Sequence, residues 1–118
     1  MSWLQGRVIL VTGGGSGLGR EIALQSAELG AKVVIMDTHA ERLEATRADV
    51  AKIAGDCLAL TTNITDEEEV GHDIEAIISK WGQLDTVVNS AGVYYFGPII
   101  TTPMADFDRV YNVNVRGL

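Results

Sequence analysis

The chain has one cysteine, so no disulfide can form within it, which fits a reducing compartment. That residue, Cys57, stands in the apolar run Cys57-Leu58-Ala59-Leu60, a setting for a buried, inert thiol. Basic residues are few. Nine Lys and Arg against 16 Asp and Glu leave a net charge of −7, and the cations are scattered singly. Neutralising phosphates takes clustered Lys and Arg, so nucleic acid is not an expected partner. No apolar run approaches the ~20 residues of a membrane span. The opening residues, Met1-Ser2-Trp3-Leu4-Gln5-Gly6-Arg7, are no signal peptide, because no basic segment leads into a long apolar one. The reading is a soluble, cytoplasmic protein without a membrane partner. The two histidines, His39 and His72, lie in polar segments with no metal-ligand spacing. Both read as surface residues, and no metal site is expected.

What is present is an alternation. The 118 residues make room for one domain, spanning 1–118. Apolar runs at Arg7–Thr12, Lys32–Asp37, Cys57–Thr61 and Leu84–Asn89 read as strands. They are apolar nearly throughout rather than alternating, as in a parallel sheet covered on both faces. Amphipathic segments lie between them. Ser16–Leu29 carries Leu18, Ile22 and Leu29 toward one side, and Ala40–Ile53 carries Leu43, Val50 and Ile53. Asp66–Trp81 is the clearest helix, with Val70, Ile74, Ile77, Ile78 and Trp81 on one stripe. Thr65 is its expected N-cap, with Glu68 completing a capping box. Gly30, Gly55 and Gly82 stand where helix C-caps belong. A last helix is expected from Thr102-Pro103, with proline in its first position, to the end of the chain. The order βαβαβαβα predicts an α/β fold, a Rossmann-type doubly wound parallel sheet of four strands in order 3-2-1-4 with four helices. Ligand is expected at the switch between strands 1 and 4.

The first strand runs into Thr12-Gly13-Gly14-Gly15-Ser16-Gly17-Leu18-Gly19, and a helix follows. Glycines let the backbone take positive φ and approach a ligand closely. The helix start behind them offers free N–H groups and a positive dipole end to a pyrophosphate. A plain glycine-rich turn would look the same out of context; between a strand and a helix it is specific. The spacing G-x-G-x-x-G fails, because from Gly13 the last glycine falls on Leu18. The P-loop pattern fits from Gly14 to Gly19, but Arg20 replaces its lysine and Glu21 the hydroxyl that would hold magnesium, which disfavours an NTPase.

The spacing that fits is T-G-x-x-x-G-x-G, on Thr12, Gly13, Gly17 and Gly19. Here the chain resembles the short-chain dehydrogenase/reductase family, and the resemblance continues to the last residue. It implies a dinucleotide cofactor, with Ser16 and Leu18 offering donors near the pyrophosphate. Strand 2 ends at Asp37, where a carboxylate accepts both ribose hydroxyls of the adenosine and repels a 2′-phosphate. Family members that use NADP place a basic residue just before the second motif glycine or just after the strand; this chain has Ser16 and Thr38 there. Arg20 and Arg42 are the nearest cations and match neither place. NAD is therefore expected, with NADP less favoured. Asp37 also reads as a cap for the following helix, a role that does not exclude the first. Asn63-Ile64 stands where the family commonly has an acid before an aliphatic residue contacting adenine; Asn63 departs from the acid but keeps an acceptor oxygen. Asn89-Ser90-Ala91-Gly92 resembles the family's Asn-Asn-Ala-Gly, in which Asn89 would tie neighbouring strands and Ala91 and Gly92 would let the nicotinamide ribose lie close.

The last helix carries Phe107, Val110, Tyr111, Asn114 and Leu118 on one stripe, so Asn114 is a polar residue on an apolar face that needs partners if buried. By spacing alone it reads as a satisfied core asparagine. By resemblance, Asn114-Val115-Arg116-Gly117 matches the segment whose asparagine binds a structural water in the proton relay, which makes Asn114 the one candidate catalytic residue. The family's acid/base tyrosine, the lysine four residues after it, and its serine all lie downstream of this asparagine. Tyr94, Tyr95 and Tyr111 have no lysine at that spacing; Pro98, Ile99 and Val115 occupy those places. The resemblance therefore implies an alcohol/ketone oxidoreductase of which this chain is the first half, a catalytically incomplete fragment that is not expected to act alone. A non-catalytic NAD-binding or sensing module is the alternative. The resemblance further implies a small alcohol or ketone substrate, with the loop Val93–Thr102 as part of its wall, and a homo-oligomer that pairs through the last helix.

Overall fold

A computed structural model describes residues 3–118. Four strands, β1 (Val8–Thr12), β2 (Lys32–Asp37), β3 (Leu58–Thr61) and β4 (Thr86–Asn89), form one sheet in the order β3-β2-β1-β4. All three pairings are parallel, with Val8 opposite Lys32, Val34 opposite Leu58 and Ile9 opposite Thr86. The expected Rossmann-type topology is thus the observed one. Helices α1 (Gly17–Glu28), α2 (Ala40–Ala54), α3 (Glu67–Trp81) and α4 (Met104–Tyr111) follow their strands in turn.

In β1 and β2 the uniformly apolar runs have the reason given for them; β3 and β4, at the two edges of the sheet, are half-buried to exposed instead. Side chains alternate across a strand, so a strand buried on both faces must be apolar at every position. Ile9, Val11, Val33 and Ile35 face one cluster with Ala23 and Ala27 of α1 and Leu43 and Val50 of α2. Val8, Leu10, Val34 and Met36 face the other, under Ile77 of α3. Each fully buried Val or Ile contributes about 1.5–3 kcal/mol relative to an exposed one. Cys57 belongs to the first cluster, and burial pushes its thiol up to about 12.

Several local expectations need correction. The N-cap of α3 is Asp66, not Thr65: Asp66 Oδ1 accepts the Glu69 N–H at 3.1 Å. Thr65 instead donates its hydroxyl to Asn63 Oδ1 at 2.7 Å. The capping-box position accordingly moves from Glu68 to Glu69. Helix α1 buries Gly19, Ala23, Ser26 and Ala27, while Leu18 is 71% exposed. Small residues let α1 lie close to the sheet, and Leu18 is turned outward. In α2, Thr46 is buried where Ile53 was expected. Pro103 stands at the N-cap of α4 rather than inside it, after a short 3-10 turn at Ile99–Thr101. The α-helix does not run to the chain end. It widens at Asn112–Arg116, where Gly117 N–H reaches the Asn112 carbonyl five residues back at 2.7 Å. The stripe read as an apolar face to be buried is open: Phe107 is 55% and Tyr111 50% exposed.

Candidate cofactor cleft

The parallel register aligns the carboxyl ends of the strands. Thr12 stands opposite both Met36 and Asn89, and Asp37 opposite Thr61. The chain leaves β1 toward β2 and β3 on one side, whereas β4 lies on the other, so the crevice opens between β1 and β4. A cleft of about 640 Å³ occupies that end of the sheet. It is lined by Gly13, Ser16, Leu18, Asp37, Asn63, Ile64, Ala91 and Gly92, all singled out from sequence. Gly17, Gly19, Asn89 and Asn114 do not line it directly.

The glycine-rich loop is held from three sides. Gly14 N–H donates to the Met36 carbonyl at 3.0 Å. Gly15 N–H donates to Asp37 Oδ2 at 2.9 Å. A Cβ on Gly13 would stand 2.9 Å from the Ala91 backbone, and one on Gly19 would stand 2.3 Å from the Gly13 carbonyl oxygen. Gly19 is thus required for the loop to close on itself, and Gly13 for its approach to the segment after β4. Gly17 is different: it has φ +57°, and a Cβ there would meet open space. Its requirement is conformational.

Behind the loop, α1 starts without a side-chain cap. Ser16 is its N-cap in extended conformation and makes no capping bond, and no acid lies in the first turn. The hydroxyl and the first N–H groups of α1 are therefore unspent, and with the dipole they can accept an anion.

Asp37 uses both carboxylate oxygens on backbone: Oδ2 accepts Gly15 N–H, and Oδ1 accepts His39 N–H at 3.0 Å. It does not cap α2. His39 does, its Nδ1 accepting Arg42 N–H at 3.3 Å. A carboxylate has about four acceptor positions, so Asp37 keeps room for two further donors. His39, expected only as a surface residue, lines the cleft, while His72 is exposed on α3 as expected. Asn63 Oδ1 accepts from both the N–H (3.0 Å) and the hydroxyl of Thr65. The acceptor expected to serve a base is therefore spent on this turn, and Nδ2 is the group left to it.

The side-chain tie between the ends of β1 and β4 is not made by Asn89, which is exposed at the end of β4. It is made by Thr12, whose Oγ1 accepts the N–H groups of Ser90 at 3.1 Å and Ala91 at 3.0 Å. Asn114 is likewise exposed rather than buried. Its amide clamps one residue, Oδ1 accepting Val93 N–H at 2.9 Å and Nδ2 donating to the Val93 carbonyl at 2.7 Å. This fixes the exit from β4 just past Gly92. Arg20 turns away from the cleft to α2, where it bonds Thr46 Oγ1 at 3.1 Å and Asp49 Oδ2 at 2.5 Å.

Comparison with known proteins gives this arrangement its family. A family profile described as short chain dehydrogenase matches residues 7–118. The chain belongs to the short-chain dehydrogenase family. Levodione reductase of Leifsonia aquatica is 40% identical over 115 residues, covering 95% of this chain and 43% of the relative. The 7alpha-hydroxysteroid dehydrogenase of Escherichia coli K12 is 38% identical over 112 residues, covering 95% and 44%. Among solved structures, an NAD+-bound xylitol dehydrogenase matches with a TM-score of 0.94 at 33% identity, covering 98% of this chain and 45% of that one. Thus the chain spans somewhat less than half the length of these relatives. Like other short-chain dehydrogenases it is built on the Rossmann-type sheet, and among its described residues no helix is long and apolar enough to cross a membrane.

Proposed function

We propose that this chain is the NAD-binding part of an oxidoreductase that interconverts an alcohol and a ketone by hydride transfer. The observation that carries the reading is Asp37, a carboxylate at the end of β2, locked by two backbone N–H groups at the wall of the cleft. Its remaining acceptor positions suit the two ribose hydroxyls of the adenosine, and its charge disfavours a 2′-phosphate, so NAD is favoured over NADP.

The cleft fits a dinucleotide. Its ~640 Å³ lies within the usual size of a small-molecule site. The uncapped start of α1, Ser16 and the open side of Gly17 and Leu18 suit the pyrophosphate. Gly19 and Gly13 act indirectly, by letting the loop close. Adenine is met by Asn63 Nδ2 and by Ile64. The nicotinamide ribose lies along Ala91 and Gly92, with Asn89 at the adjoining strand end.

When bound, the nicotinamide supplies or accepts the hydride. The hydroxyl proton needs an acid/base that Tyr94, Tyr95 and Tyr111 do not provide, since no lysine stands four residues after any of them. The 118 residues alone are therefore expected to be inactive. Asn114 keeps one N–H and one lone pair after clamping Val93, enough for a water in the proton path. Small alcohols or ketones are the substrate class, with the exposed loop Tyr94–Ile100 forming part of the wall. The exposed Phe107, Tyr111 and Leu118 suit the pairing of copies. The cellular setting is the cytoplasm.

The test compares this chain with the product of the parent reading frame continued past Leu118. Reduction of NAD by secondary alcohols is expected from the longer protein and not from the shorter. Absence from both would count against the enzyme reading.

A further inference from the structure

The turn proposed to meet the base has spent its acceptors and kept its donors. Asn63 Oδ1 accepts the N–H of Thr65 at 3.0 Å and its hydroxyl at 2.7 Å, so both lone pairs of the amide oxygen are used. A backbone N–H can only donate, which fixes the direction of the amide: the oxygen faces Thr65. Nδ2 is left with two N–H groups that make no hydrogen bond among the described residues. The Asn63 carbonyl is taken as well, by the Asp66 N–H at 3.0 Å, whereas the Ile64 N–H makes no hydrogen bond among the described residues. Thr62, the cleft residue before them, is 3% exposed, and its hydroxyl donates to Asp73 of α3. Asn63 and Ile64 both line the cleft and hold out N–H groups to it.

We infer that the base end of this cleft does not select the 6-amino group of adenine, and that it takes a 6-oxopurine such as hypoxanthine at least as well. The inference rests on the reading of Asn63 and Ile64 as the base contact. An amino group is recognised by an acceptor, and the side chain proposed to meet it offers a donor instead. In adenine the ring acceptors N1 and N7 each stand beside the amino donor; in a 6-oxopurine O6 and N7 are adjacent acceptors. Two adjacent acceptors match Nδ2 and the Ile64 N–H, while a donor set against a donor gains nothing. Asn63 is thus a specificity-determining residue, and the backbone of Thr65 sets the direction in which it reads the base.

Adenosine 5′-monophosphate and inosine 5′-monophosphate are the probes, titrated calorimetrically into the 118-residue chain. The inosine probe is expected to bind as tightly as the adenosine probe or more tightly. Asn63→Asp keeps one oxygen for Thr65 and gives the base a second oxygen in place of Nδ2. It is expected to shift the preference toward adenosine 5′-monophosphate by about tenfold or more, the scale of a hydrogen bond to a charge. Tighter binding of the adenosine probe by the wild type overturns the inference while leaving the cofactor reading intact. An Asn63→Asp variant that keeps the wild-type preference also overturns it. Failure of the folded wild type to bind either probe removes the cofactor reading and the inference together.

Discussion

Asp37 on β2 accepts the backbone N–H of Gly15 at 2.9 Å, so the residue proposed to read the cofactor also holds the loop proposed to cradle it. On the proposed reading, specificity and loop geometry are coupled through one carboxylate. Asp37→Ala should therefore do more than relax the choice between NAD and NADP. It removes the acceptor for two N–H groups, at a cost of about 1–3 kcal/mol for an unsatisfied partner. Asp37→Asn should retain most of the stability. Thermal unfolding of the two variants checks this; equal melting temperatures would show that the clamp contributes nothing.

Glycine substitutions should differ in sign with position. Gly19→Ala drives a methyl to 2.3 Å from the Gly13 carbonyl oxygen, against backbone that cannot yield. Overpacking of this kind costs about 1–3 kcal/mol and should abolish cofactor binding. Gly71→Ala, within α3 and with nothing inside 4 Å of the new methyl, should stabilise by roughly 0.5–1 kcal/mol. Urea midpoints for the pair supply the measurement, and a destabilised Gly71→Ala would contradict the account.

Thr12→Val keeps shape and removes the acceptor shared by Ser90 and Ala91. Thr12 is 6% exposed, so water cannot fully replace that acceptor. Destabilisation of about 1–3 kcal/mol is expected, while Thr12→Ser should remain close to wild type. Amide exchange at Ser90 and Ala91 reports the tie directly: it should quicken in the valine variant only.

How much of this was legible beforehand depends on how far apart in sequence the causes lie. The central strands were readable because burial on both faces demands an apolar residue at each position, as in Val33-Val34-Ile35-Met36. The loop was readable because Gly17 and Gly19 answer local backbone demands, whereas the close approach of Gly13 to Ala91 is long-range. The work of Thr12 was hidden, since its partners lie 78 and 79 residues away and meet it only through the β1–β4 register. His39 is exposed, as a surface residue should be, but its capping of α2 was hidden because that role depends on which way one ring nitrogen faces. The spending of Asn63 Oδ1 on Thr65 could have been suspected from the Asx-turn pattern of Asn63-Ile64-Thr65. Asn114 was singled out by the resemblance of Asn114-Val115-Arg116-Gly117, whereas its place on an apolar stripe suggested a core asparagine; that stripe is open, and its partners are the backbone groups of Val93.

Acid should weaken the fold in a stated direction. Glu44 is held below the usual carboxylate range by its hydrogen bond with Arg47, Asp49 by Arg20 and then Lys52, Asp56 by Lys80, and Asp85 by the Val8 N–H. A depressed folded value means that the unfolded chain binds protons first, so stability rises with pH across this window. The contribution is full above about pH 5, and it is lost as pH falls through the range of an ordinary carboxylate, near ~4, and below. Melting temperatures between pH 7 and pH 3 should show this decline, and Asp85→Asn should flatten part of it. An unchanged acid limb in that variant would remove Asp85 from the explanation.

Calorimetric titration of the chain with NAD, using NADP as the control, tests the central claim most directly. The account predicts that NAD binds at least about tenfold more tightly, the scale of lost hydrogen bonds to a charge. Equal binding, or tighter binding of NADP, would contradict the assignment of Asp37 to the ribose, and no binding by a folded chain would contradict the cleft.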